Sequence, residues 1–78
     1  MQGPWHPHPG DSFDSISAAA FAGEPQAQFR MGEIHRRGLL GMPVDESQAR
    51  RWYEKAAEAG HGTAIFLLNN WRNRDHFV

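Results

Sequence analysis

Apolar residues recur along this chain at helical spacing. Phe13, Ile16 and Ala20 fall on one face, Asp11 or Ser12 is placed to cap that segment, and Gly23 ends it. A second helix fits Glu24 to about Arg37. Pro25 sits in its first turn, where no intrahelical N–H is needed, and Ala27, Met31, Ile34 and Gly38 line one side. Gly38 to Val44 reads as a loop. Asp45 then caps a third helix, and Gln48 follows three residues later as in a capping box. Ala49, Trp52, Tyr53 and Ala56 make the apolar face of that helix, with Glu54, Lys55 and Glu58 on the wet side. Gly60 closes it, and a fourth helix runs from about Gly62 to Trp71. No segment alternates with the period of a strand. The pattern predicts an all-α chain of about four helices in antiparallel hairpins over residues 11–72. Residues 1–10 and 73–78 read as tails, the first flexible and rich in Pro and His.

The pattern repeats. Shifting the chain by 37 residues places Ala19, Ala20, Ala22, Gly23, Ala27 and Phe29 on Ala56, Ala57, Ala59, Gly60, Ala64 and Phe66. Small residues end one helix, a glycine turns the chain, and an alanine opens the next helix against its neighbour. A period of this size marks a helical-hairpin repeat.

With those residues in place, the stretch Ala27 to Ala64 resembles the Sel-one-like repeat, a relative of the tetratricopeptide repeat. The resemblance rests on Ala27, Gly32, Gly38, Gly41, Pro43, Asp45, Ala49, Trp52, Tyr53, Ala56, Ala57, Gly60 and Ala64, with Met31 and Met42 standing for Leu and Val. His35 stands where the family carries a Tyr between helices, and one extra residue separates Gly38 from Gly41. One full repeat is flanked by half-repeats, which implies a short α-solenoid below the usual three repeats.

Composition narrows the function. Leu, Ile, Val and Phe make up 14 of 78 residues, a lean core that ten Ala and three Trp partly offset. A net charge of −1 provides no long-range pull toward nucleic acid or an anionic membrane. No apolar run approaches the ~18 residues of a membrane helix, and the N-terminus lacks the pattern of a secretory signal. Zero Cys excludes disulfides, thiol chemistry and Cys-based zinc sites. These features predict a cytoplasmic protein.

Little in the chain points to catalysis. His6 and His8 in the segment Trp5–Pro9 are two residues apart, but a metal centre needs three or four ligands and a supporting shell. His35 reads as a packed or half-exposed side chain, since Glu33 and Arg36 project elsewhere on a helix. His61 reads as part of a helix start. No nucleophile elbow, phosphate loop or paired-carboxylate arrangement is present, and no cofactor or metal is expected.

The resemblance implies a non-enzymatic protein–protein interaction module, of the kind that serves as an adaptor in bacterial and eukaryotic assemblies. A small inhibitor or immunity-type protein that occludes a larger target, such as a phage or mobile element would encode, is the alternative. Some Cys-rich relatives bring a hydrolase reading, which this chain's residues do not support. The basic residues Arg36, Arg37, Arg50 and Arg51 cluster around the hairpin loop and are the expected partner-binding set, suited to an acidic protein surface. Ile65, Phe66, Leu67, Leu68 and Trp71 surround most of the fourth helix rather than one stripe, which predicts an oligomer interface and a homodimer across a two-fold axis.

Overall fold

The computed structural model describes residues 12–76, with side chains described as far as Trp71. The expected tail over residues 1–10 lies outside the described residues. Four α-helices follow in order: α1 (Phe13–Phe21), α2 (Pro25–Arg37), α3 (Glu46–Glu58) and α4 (Gly62–His76). Each packs chiefly on the next in the chain, so α2 and α3 are the helices flanked on two sides. This is the all-α, solenoid-like stacking expected of helical hairpins.

The local signals act as their chemistry requires. Ser12 caps α1, its hydroxyl accepting from the Ser15 N–H at 3.1 Å. Pro25 occupies the first turn of α2, and Gly38 ends that helix in the left-handed region at φ 69°. Asp45 caps α3 by accepting from the Gln48 N–H at 3.1 Å. The capping box is only half formed, because the Asp45 N–H donates to the His35 carbonyl at 2.7 Å instead of to the Gln48 side chain. That bond bolts the end of the loop to α2. The extra residue between Gly38 and Gly41 is absorbed by Leu40, which takes a left-handed φ of 54°. Such a backbone costs a non-glycine residue about 1 kcal/mol. The Leu40 side chain offsets part of it by packing against the core. The fourth helix continues to His76, five residues past the end read from the apolar pattern.

Two apolar clusters lie on either side of α3. Ile16, Ala20, Ala27, Met31, Ile34 and Trp52 form the first, between α1, α2 and α3. Phe29, Ala49, Tyr53, Ala56 and Ala64 form the second, with Leu67, Leu68 and Trp71 of α4 packed against it. Consecutive residues Trp52 and Tyr53 therefore anchor different clusters. Tyr53 comes so close to α2 that a Cβ on Gly32 would lie 2.6 Å from its ring. Only glycine allows that approach.

Candidate functional site

Each of the two clusters opens into a groove, one on each side of α3. The first is bordered by Arg36 of α2, Glu46 and Tyr53 of α3, and Leu67, Asn70 and Trp71 of α4, and encloses about 330 Å³. Arg36 and Tyr53, which line it, belong to a polar cluster centred on Glu33 that the sequence reading missed. Glu33 is almost fully buried, yet its Oε1 accepts from the Tyr53 hydroxyl at 2.5 Å and from Arg36 Nη2 at 3.2 Å. Its Oε2 lies 3.5 Å from Arg37 Nη1. Arg36 Nε also donates to the Tyr53 oxygen at 3.1 Å.

A carboxylate so deeply placed is tolerable only when paired and hydrogen-bonded on both oxygens, and the two arginines of the last α2 turn do this. Burial, then the hydrogen bond and negative charge of Glu33, push the Tyr53 phenol well above its ordinary pKa. Burial acts to lower the Arg36 pKa, but Tyr53 and Glu33 outweigh it and the guanidinium is held charged more firmly than usual. The signal in the sequence was the spacing of Glu33 to Arg36 and Arg37, three and four residues on, which places all three on one helix face.

The four candidate arginines thus divide. Arg36 and Arg37 are tied to Glu33, with the Arg36 side chain still 40% exposed at the groove rim. Arg50 lies 3.8 Å from Glu54 in a half-exposed pair of small energetic weight, and Arg51 is exposed. The five candidate interface residues divide too. Leu67, Leu68 and Trp71 pack toward α3, whereas Ile65 and Phe66 are exposed. Trp71 meets the Tyr53 ring edge-on at 5.9 Å.

The second groove lies between α1 and α3 over α2. Phe13, Phe21, Met31, His35, Met42 and Trp52 line it, and it encloses about 400 Å³. Phe21 is 76% exposed and meets Trp52 edge-on at 5.2 Å. His35 is buried in its floor, edge-on to Phe13 at 6.3 Å.

His61 is a structural residue. Its Nδ1 accepts from the Ala64 N–H at 3.3 Å, capping α4, and its Nε2 lies 2.9 Å from Gln26 Oε1. The ring stacks on Phe29 at 4.7 Å. Burial lowers its pKa, in keeping with the neutral form that the cap needs. Among the described residues, no group of three or more His, Asp or Glu could hold a metal ion, and no helix is long and apolar enough to cross a membrane.

Comparison with known proteins agrees with this architecture. Residues 25–61 match the Sel1 repeat. Chitin synthase regulatory factor 3 of Schizosaccharomyces pombe is 33% identical over 63 residues, which is 81% of this chain and 7% of that protein. Chitin synthase regulatory factor 4 of the same yeast is 35% identical over 57 residues, 73% of this chain and 9% of that protein. The chain spans less than a tenth of the length of these relatives. No solved structure matches it significantly.

Proposed function

We propose that the chain, whose residues 25–61 match the Sel1 repeat, acts as a non-enzymatic protein-binding module, a small adaptor or scaffold. The observation that carries this reading is the groove between α2 and α4. Its apolar wall of Leu67 and Trp71 faces a charged rim at Arg36, and the polar cluster to which Arg36 and Tyr53 belong is rigidly paired. Such a mix of an apolar anchor site and oriented polar groups suits a protein segment. Arg36, Arg37, Arg50 and Arg51 are the proposed contacts, and the partner presents acidic groups to them. Two relatives named as regulatory factors of a synthase support a role in binding to another protein, although each shares only a small part of its length with this chain. A cysteine-free chain has no disulfide to gain from an oxidising compartment, and we place it in the cytoplasm.

Affinity capture followed by mass spectrometry identifies the partner, and charge reversal then tests the site. The double variant Arg50→Glu, Arg51→Glu weakens binding by about tenfold or more at low salt and melts like the parent, since neither side chain belongs to the core. An unchanged dissociation constant overturns the arginine assignment. Self-association belongs to the same reading and rests on Ile65 and Phe66, the two α4 residues left exposed. Sedimentation equilibrium at micromolar concentration decides it, because a monomeric mass there rejects the homodimer.

A further inference from the structure

The groove between α1 and α3 opens on the cluster that holds Met31 and Trp52 and takes no part in the proposed arginine site. We infer that it is a second peptide-binding site, taking an extended segment of a partner protein with two apolar side chains and a Lys or Arg at one end. Three features of the groove specify that ligand.

The first is His35. Its side chain is nine-tenths buried, and the imidazole Nδ1 is buried with no hydrogen-bond partner among the described residues. A ring nitrogen acts as donor or acceptor according to the tautomer, and leaving Nδ1 buried and unpaired is costly. A peptide group carries an N–H and a C=O, so it pairs with Nδ1 in either tautomer. A purely apolar occupant would bury the imidazole still further and satisfy nothing.

The second is charge. Among the described residues lining the groove, Asp45 is the one that carries a formal charge. Its Oδ1 caps α3, and its Oδ2 is not used by that cap. The bond from the Asp45 N–H to the His35 carbonyl holds the carboxylate at the His35 end of the groove. A basic residue is complementary there. Lys55 stands toward the other end, its Nζ 5.9 Å from the centre of the Trp52 ring, and would oppose a basic group in that position. The ligand therefore has a direction.

The third is length and wall chemistry. Phe13 and Phe21 line the groove from the two ends of α1, a distance of ~12 Å along the helix. An extended segment of about four residues covers that span at ~3.3 Å per residue. Its first and third side chains from the apolar stretch point the same way, into the walls formed by Phe21, Trp52 and Met42. The edge-on pair of Phe21 and Trp52 remains open on its outer side, because Phe21 is largely exposed.

The test is an NMR titration of the isotope-labelled full chain with two capped tetrapeptides, acetyl-Lys-Leu-Ser-Phe-amide and the same peptide with Glu in place of Lys. The expected result is saturable shifts at Phe13, Ser17, Phe21, Gln48 and the His35 ring, with a dissociation constant on the order of 1 mM. The Lys peptide binds at least about threefold tighter than the Glu peptide at low salt. Asp45→Asn keeps a good helix cap, so the protein stays folded, and it removes that preference. Phe21→Asp, at a position already exposed, weakens both peptides by about tenfold. The Arg50→Glu, Arg51→Glu variant still gives saturable shifts at Phe21 and the His35 ring with the Lys peptide, so failure of one site is distinguishable from failure of the other. Shifts confined to Arg36, Leu67 and Trp71 overturn the proposal, as do shifts unaltered by Phe21→Asp. Nuclear Overhauser contacts from Trp5 to Phe21 in the free protein, with no response to peptide, assign the groove to the chain's own N-terminal segment and also overturn it. Concentration-dependent shifts at these residues without peptide do the same in favour of a second copy.

Discussion

The joint between α1 and α2 and the joint between α3 and α4 are copies of each other 37 residues apart, down to their backbone hydrogen bonds. The Gly23 N–H donates to Ala20 O at 3.0 Å and the Glu24 N–H to Ala19 O at 3.1 Å. The Gly60 N–H donates to Ala57 O and the His61 N–H to Ala56 O, both at 2.9 Å. Both glycines sit near φ 100° and 91°. The next turn repeats as well, with Gln28 bonded to Glu24 and Ile65 to His61. Beyond the backbone the copies diverge. Phe29 of α2 is 7% exposed, whereas its counterpart Phe66 of α4 is 61% exposed. Gly32 and Glu33, which receive Tyr53, correspond to Asn69 and Asn70, which are exposed. The α2 helix packs on both α1 and α3, whereas α4 packs chiefly on α3, so the same register carries core residues in one copy and surface residues in the other. Asn69 would also forbid the close approach that Gly32 permits.

Swapping or truncating equivalent positions breaks the comparison most directly. Phe29→Ala removes a ring that packs on Tyr53 and stacks on His61, and is expected to cost about 3–5 kcal/mol. Phe66→Ala is expected to change stability by less than about 0.5 kcal/mol. Chemical denaturation of the two variants measures the asymmetry, and equal losses would mean that Phe66 is covered in solution. A reciprocal exchange comes next. Gly32→Asn drives a Cβ into the Tyr53 ring and should cost roughly 1–3 kcal/mol, whereas Asn69→Gly pays only the lower helix propensity of glycine, about 0.5 kcal/mol. If thermal melts show Gly32→Asn to be harmless, Tyr53 does not pack as described.

The smallest effect sharpens the contrast between the two helix starts. Glu24 makes no side-chain cap, while His61 caps α4 through Nδ1. Protonation fills Nδ1 and places a positive charge at a helix N-terminus, which the helix dipole disfavours. Because burial lowers the folded pKa of His61, the unfolded chain takes up the proton first. The contribution of this residue is full above the ordinary imidazole value of about 6.5, falls as the pH drops through it, and levels off once the folded ring also protonates. His61→Asn keeps a capping side chain and should flatten that part of the stability profile. Melting curves of parent and variant from neutral to mildly acidic pH check it, and parallel profiles would remove His61 as the cause.

The caps at Ser12 and Asp45, the turn glycines, the place of Pro25 and the 37-residue period were all legible in the residues. They arise from interactions within a few positions of each other, and local chemistry is written in local sequence. Three other matters depended on which helices lie side by side. The burial of Glu33 becomes tolerable only with Tyr53, twenty residues away, joined to Arg36 and Arg37 around its oxygens. The fourth helix looks apolar on nearly every side, yet Leu67, Leu68 and Trp71 pack toward α3 while Ile65 and Phe66 stay exposed. Trp52 and Tyr53 read as one apolar face, but adjacent residues on a helix point about 100° apart, and a helix on each side of α3 assigns each ring to its own cluster and its own groove. Periodicity along a chain states what a helix offers for burial, and only the arrangement of its neighbours settles which part of that offer is taken up.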